Sequence, residues 1–78
     1  MMKLPVISGK EMAKFLAGLG FMQIGQRGSH VIFLKEIAGR RCKPVVPLHS
    51  ELAPGTLLSI IKQAGMTRKE FMELYYKR

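Results

Sequence analysis

The residues of this chain best suited to chemistry are its two histidines, His30 and His49. An imidazole with its ordinary pKa of about 6.5 both accepts and donates protons near neutral pH. His30 follows Gly28 and Ser29 and begins an apolar run, a pattern typical of a turn that leads into a strand. A lone histidine at such a place is usually an ordinary surface residue, so its surroundings must decide between the two interpretations.

Metal-free RNA cleavage is a reaction that such a histidine supports. The nucleophile is the RNA's own 2′-hydroxyl, so the protein supplies a base, a proton for the leaving 5′-oxygen and positive charge. A positioned acid or base contributes roughly 10²- to 10⁴-fold in rate, and Arg or Lys side chains on the phosphate add electrostatic stabilisation. His30 is the candidate for proton transfer. The candidate phosphate contacts are the nearby cations and small turn residues: Arg27, Gly28, Ser29, Arg41 and Lys43.

The second histidine and the single cysteine allow other interpretations. His49 is a candidate for a second acid-base group or for a residue that fixes the loop before the second helix, and we favour the structural role. A metal site of His30, Cys42 and His49 is chemically possible, but the spacings match no zinc pattern and the chain has no Asp. No phosphate-loop motif is present. We therefore expect no metal, no cofactor and no nucleotide hydrolysis.

The charge of the chain favours an anionic partner. Its 13 Lys and Arg residues against 5 acidic ones give a net charge of +8, which suits nucleic acid, an acidic protein or an anionic membrane. Residues 22 to 50 contain one acidic residue, Glu36, and five cations: Arg27, Lys35, Arg40, Arg41 and Lys43. One interpretation is a basic sheet face around His30, on which Lys35 and Arg40 are further candidates for RNA binding. Simple solvated charges at strand ends are an equally good interpretation.

Cysteine usage and hydropathy indicate the compartment. Cys42 is the one cysteine, so the fold needs no internal disulfide and suits a reducing cytosol. The first seven residues contain an apolar run too short for a signal peptide, and no stretch approaches the roughly 18 apolar residues of a membrane span. We expect a soluble, cytoplasmic protein with no membrane partner.

Start and stop signals for three helices are readable along the chain. Ser8 and Glu11 have capping-box spacing, with an apolar stripe that continues to Gly20. Pro54 suits the first turn of a second helix, which ends at Gly65. Residues 67 and 70 repeat the capping box for a short third helix.

Between the first two helices the apolar period shortens to that of strands. Segments 21–27, 30–35 and 41–48 predict an antiparallel meander with a tight first turn and a longer second loop at 36–40. Pro44 and Pro47 favour an edge position for the third strand. The prediction is an α+β fold in the order α-β-β-β-α with a short extra C-terminal helix. It is one domain over residues 1–78, with helices on one face of a three-stranded sheet and the other face left for a ligand.

Seven short motifs in order carry a resemblance to a known family. They are Gly9-Lys10-Glu11, Leu19-Gly20-Phe21, Gly28-Ser29-His30, Gly39-Arg40-Arg41, Val46-Pro47-Leu48-His49, Pro54-Gly55-Thr56-Leu57 and Gln63-Ala64-Gly65-Met66-Thr67. Together, over nearly the whole of a small basic chain, they resemble the HicA toxins, also called YcfA-like, of the HicA-HicB toxin-antitoxin systems.

The resemblance implies a fold like that of double-stranded-RNA-binding domains and an mRNA interferase activity that arrests translation. It also implies a HicB-like antitoxin that covers the active site, and it assigns the catalytic role to His30. Many members read Gly-Ser-His-His, whereas Val31 stands here at the second histidine position. His30 therefore acts alone or with a group that this motif does not supply.

Two other interpretations stay open at this point. In the first, the chain is a non-catalytic RNA-binding or partner-docking module on the same fold, which recognises RNA by shape and phosphate contacts. In the second, its basic face serves mainly to hold an acidic antitoxin. The residues alone do not rank these alternatives, and the family resemblance favours the ribonuclease.

Overall fold

The computed structural model describes residues 3–77 and confirms the α+β fold. The elements follow the predicted order, including the short extra helix at the end, except that the predicted third strand is divided into two. In chain order they are α1 (Gly9–Gly18), β1 (Met22–Arg27), β2 (His30–Ile37), β3 (Arg40–Cys42), β4 (Val45–Pro47), α2 (Pro54–Gln63) and α3 (Arg68–Lys77).

Both predicted capping boxes form. At the start of α1, Ser8 Oγ accepts from the Glu11 amide at 3.0 Å, and the Glu11 carboxylate accepts from the Ser8 amide at 3.0 Å. Thr67 and Glu70 make the same reciprocal pair before α3, at 3.1 and 2.8 Å. Each box satisfies two amides that have no partner inside the helix, so these starts are fixed by local sequence.

Strand β2 is the centre of the sheet. It pairs antiparallel with β1 on one side and with β3 and β4 on the other. The pairs Lys35↔Cys42 and Ile32↔Val45 belong to one continuous register, so β3 and β4 are two halves of the single strand predicted at 41–48. Pro44 divides them because it has no N–H to donate across to β2, although its carbonyl accepts from the Phe33 amide at 3.0 Å. The predicted edge position is confirmed.

The two turns of the meander are both two residues long. In the first, Gly28 has a φ of +54°, the sign that a type II′ turn requires at its first central position. In the second, Ala38 and Gly39 have φ of +52° and +77°, as in a type I′ turn. The prediction of a longer loop at 36–40 is wrong, because Glu36, Ile37 and Arg40 pair in the β2–β3 ladder.

The two faces of the sheet have different surroundings. Along β2, Val31 and Phe33 are buried against the helices, whereas His30 is exposed on the opposite face. The remaining members of the hydrophobic core come mainly from the three helices and the segments that flank them: Ile7, Met12, Phe15, Leu16, Phe21, Val46, Leu52, Leu57, Ile60, Ile61, Ala64, Phe71 and Met72. One face of the sheet therefore forms the core, and the other is open.

Aromatic rings join α3 to α1 within this core. Phe15 meets Phe71 edge to face, with ring centroids 5.3 Å apart, and Tyr75 lies 5.8 Å from Phe15 and 5.5 Å from Phe71. Such pairs add to the stabilisation that comes from burial. The terminal helix is thus part of the folded core.

Candidate active site

The β1–β2 hairpin places His30 at a defined point on the open face. Arg27 and His30 are directly opposite each other at the turn, so their side chains project from the same side of the sheet. The turn itself is held by Gln26, whose side-chain amide donates to the Gly28 carbonyl at 2.9 Å. A residue at the first position of a paired strand has a fixed direction, and here that direction is away from the core.

An open depression lies beside this turn. It has a volume of about 680 Å³ and is lined by Arg27, His30, Ile32, Lys43 and Val45. Ile32 and Val45 are cross-strand partners and supply the apolar part of the lining, while the imidazole and the two cations supply its polar part. This combination suits an anionic group that also carries an apolar or aromatic part, as a nucleotide does.

The second histidine lies next to the first. The ring centroids of His30 and His49 are 6.4 Å apart and their planes are inclined by 76°. Pairing of His30 with Pro47 brings the chain after β4 back to the hairpin turn, where the Leu48 amide donates to the Ser29 carbonyl at 2.6 Å. Both histidines are exposed, so both imidazoles are accessible to a ligand on this face.

Backbone hydrogen bonds fix the segment that carries His49. Its carbonyl accepts from the Gly9 amide at 2.9 Å, and three residues later the Leu52 amide donates to the Ile7 carbonyl at 2.9 Å. The first of these contacts needs a glycine. A Cβ at position 9 would overlap the Pro47 carbonyl oxygen and lie 2.8 Å from the Leu48 Cα. The start of α1 therefore packs directly on the chain between β4 and His49.

The structure brings together part of the predicted site and separates the rest. Exposed Gly28 and Ser29 lie at the turn beside His30, with open space around the Gly28 Cα where a phosphate can approach. Arg41 is on the same face but pairs with Glu36, six residues along β2 from His30. At about 3.3 Å per residue this is roughly 20 Å away.

Two other predicted contacts lie elsewhere. Arg40 pairs with Ile37 at the far end of the meander and borders a different depression, which also contacts the end of α2. Lys35 lies on the helix-covered face of β2. Its ammonium donates to the Leu19 carbonyl at 2.5 Å and lies 5.7 Å from the centre of the Phe21 ring. The half-buried Lys35 therefore links β2 to the end of α1 and does not border the depression.

Two lining residues and one positioning residue were not predicted. Ile32 and Val45 line the depression, and their alternation with buried Val31 and Val46 is the sequence signal that places them on the open face. Gly9 has no signal in a single sequence, because its contact with the chain after β4 is long-range.

The histidines and Cys42 do not form a cluster. Cys42 pairs with Lys35 and is half-buried against Gly65, at the other end of the sheet from His30. Over residues 3–77, no group of three or more His, Cys, Asp or Glu side chains is arranged to hold a metal ion.

The comparison with protein families decides the relationship. A family model described as the HicA toxin of bacterial toxin-antitoxin systems matches residues 9–66, from the start of α1 to just beyond α2. The chain belongs to the HicA toxin family. The match includes both histidines and the whole depression, and it confirms the resemblance seen in the sequence. A search of curated proteins gave no match.

Membership in this family implies a partner protein, and the range of the match leaves one helix outside it. A HicA toxin is one half of a toxin-antitoxin system, which implies an antitoxin as its partner. The matched region ends at Met66, so α3, whose Phe71 and Met72 are buried in the core, lies outside it.

No helix within residues 3–77 has both the length and the hydrophobicity needed to cross a bilayer.

Proposed function

We propose that this HicA-family toxin is an endoribonuclease that cleaves mRNA by metal-independent acid-base catalysis and so arrests translation. The observation that supports this most is the composition of the depression, where the exposed imidazole of His30 shares one open surface with Arg27 and Lys43. An imidazole can transfer a proton at a phosphodiester, and neighbouring cations stabilise the charge that develops on the phosphate.

Each residue of the depression has a role in this reaction. Arg27 and Lys43 hold the phosphate and offset the charge that develops as the 2′-oxygen attacks phosphorus. His30 transfers a proton at one of the two reacting oxygens, and a second group or water transfers the proton at the other. The 2′-oxygen-to-phosphorus bond forms, the bond to the 5′-oxygen breaks, and the products are a 2′,3′-cyclic phosphate and a 5′-hydroxyl. Ile32 and Val45 supply apolar contact for a ribose or base.

The charge distribution supports a HicB-like antitoxin of acidic character as the partner. The open face has cations at Arg27, Arg41 and Lys43, and across an interface such charges favour an oppositely charged surface. An antitoxin that covers this face would also cover His30. We place the toxin in the cytoplasm, where mRNA is the accessible substrate, and propose that residues 1–78 act as one domain.

The His30→Ala variant tests the proposal. The purified protein is incubated with a defined transcript in the presence of EDTA, and the products are resolved by electrophoresis. We expect cleavage by the variant to be roughly 10²- to 10⁴-fold slower, with an unchanged thermal unfolding midpoint, because His30 is exposed. Gln23→Ala, an exposed change elsewhere in β1, is the control and should cleave normally.

Two results would contradict the proposal. If His30→Ala cleaves as fast as the unmodified protein, His30 has no role in proton transfer. If the unmodified protein binds the transcript but never cuts it, the chain is a non-catalytic RNA-binding module. The presence of a 5′-hydroxyl on the downstream product, which a polynucleotide kinase labels directly, separates this reaction from hydrolysis that leaves a 5′-phosphate.

A further inference from the structure

The side chain of His49 is not used by the loop that carries it. Backbone groups hold that loop, through Leu48 N to Ser29 O at 2.6 Å, Gly9 N to His49 O at 2.9 Å and Leu52 N to Ile7 O at 2.9 Å. Among residues 3–77 the imidazole itself has no hydrogen-bond partner, and the residue is exposed. A structural histidine would use its ring nitrogens for the loop, whereas here the loop leaves them free for a ligand.

The position of the ring is suited to proton transfer. At 6.4 Å between centroids and 76° between planes, the imidazoles of His30 and His49 are too far apart to bond to each other. They are close enough for hydrogen bonds of about 2.6–3.2 Å to reach two oxygens of one phosphodiester placed between them. The reaction has two such oxygens, since the 2′-oxygen loses a proton and the 5′-oxygen gains one.

We propose that His49 is the second proton-transfer residue of the active site and completes a pair with His30. This inference rests on the proposed ribonuclease function. One imidazole accepts the proton of the 2′-hydroxyl as the 2′-oxygen bonds to phosphorus. The other, in its protonated form, donates to the 5′-oxygen as that bond breaks, and exchange with water then restores both rings. The position occupied by Val31, which points into the core, has no part in the reaction.

A substrate with a bridging sulfur separates the two roles. The cut site is first mapped in a transcript, and an oligonucleotide is then made in which sulfur replaces the 5′-oxygen at that bond. A thiolate leaves without being protonated, so this substrate needs the base and does not need the acid. His30→Gln and His49→Gln are compared on the ordinary and the sulfur-containing oligonucleotides, with Ser50→Ala as the control in the same loop.

The expected pattern is asymmetric. On ordinary RNA both variants cleave roughly 10²- to 10⁴-fold more slowly, while Ser50→Ala is unaffected. On the sulfur-containing substrate only one of the two variants regains nearly the full rate, and that variant identifies the acid. The thermal unfolding midpoints of His49→Gln and the unmodified protein should agree, because the imidazole that the substitution removes makes no hydrogen bond within residues 3–77.

Several outcomes would overturn the inference. The first is a normal rate of RNA cleavage by His49→Gln, and the second is equal rates of the two variants on the sulfur-containing substrate. The third is an unfolding midpoint of His49→Gln that is lowered enough to account for the loss of activity of this variant. These outcomes leave the ribonuclease proposal intact as long as His30→Gln is slow. Failure of the unmodified protein to cut RNA would instead remove the proposed function and this inference with it.

Discussion

The two faces of β2 differ in what their residues do, although the residues alternate along one strand. Val31 and Phe33 are 4% and 3% exposed and belong to the core. His30 and Ile32 project from the other face and line the depression. Because the side chains of a strand alternate, eight residues supply both a stabilising surface and a reactive one. Stability and activity should therefore be separable by choosing odd or even positions.

The largest expected effect compares neighbours on opposite faces. Phe33→Ala leaves a cavity in the core and should lower the free energy of unfolding by about 3–5 kcal/mol, a large part of the stability of a chain this small. Ile32→Ala removes a half-buried side chain from the open face and should cost about 1 kcal/mol. Urea denaturation followed by circular dichroism measures both. Equal losses would show that the two faces are packed alike.

A smaller effect separates two lysines. Lys35→Met removes the hydrogen bond to the Leu19 carbonyl and should cost about 1 kcal/mol of stability, with little change in RNA affinity. Lys43→Met should change stability by less than about 0.5 kcal/mol and weaken binding. The slope of log affinity against log salt concentration should decrease in magnitude by about 0.7, which corresponds to one lost phosphate contact on single-stranded RNA.

Fluorescence anisotropy with 2′-O-methyl RNA measures this binding, because the probe lacks the nucleophile and is not cut. Denaturation of the same two proteins provides the stability values. The assignment of the lysines to the two faces would be wrong if Lys35→Met had the larger effect on affinity.

The smallest effect concerns the turn at the far end of β2. Ala38 adopts a φ of +52°, which is unfavourable for alanine and common for asparagine. Ala38→Asn should therefore stabilise the protein by roughly 0.5–1 kcal/mol, with unchanged RNA cleavage, since His30 is at the other end of the strand. Ala17→Asn, at an exposed position in the last turn of α1, is the control and should destabilise by about 0.5 kcal/mol. Stabilisation by both would point to a general effect of asparagine.

Local signals predicted most of the fold. The capping boxes at Ser8 and Thr67 form as expected, because each needs only residues three positions apart. The turn between β2 and β3 is harder to predict from the sequence. Alanine rarely takes a positive φ, so nothing in the sequence around Ala38 distinguishes a tight turn from a loop, and the ladder of β2 and β3 imposes the conformation.

The candidate site was predicted in part, and the differences have two causes. Counting cations along the chain ignores the face on which each lies. Lys35 is an odd number of residues from His30, so strand alternation alone would have placed it on the other face. The approach of His49 to His30 depends on the register between β2 and β4 and on Gly9, and a single sequence contains no record of such contacts.

Both edges of the sheet are interrupted, and this limits how other proteins can approach it. In β1 the register shifts between Gln23 and Gly25. On the opposite edge the Val45 amide is already bonded to the Gln63 side chain at 3.1 Å, and Pro47 has no amide hydrogen. An unbroken edge invites a strand from another chain. Here neither edge offers a continuous ladder, so addition of a strand from another chain to this sheet is disfavoured.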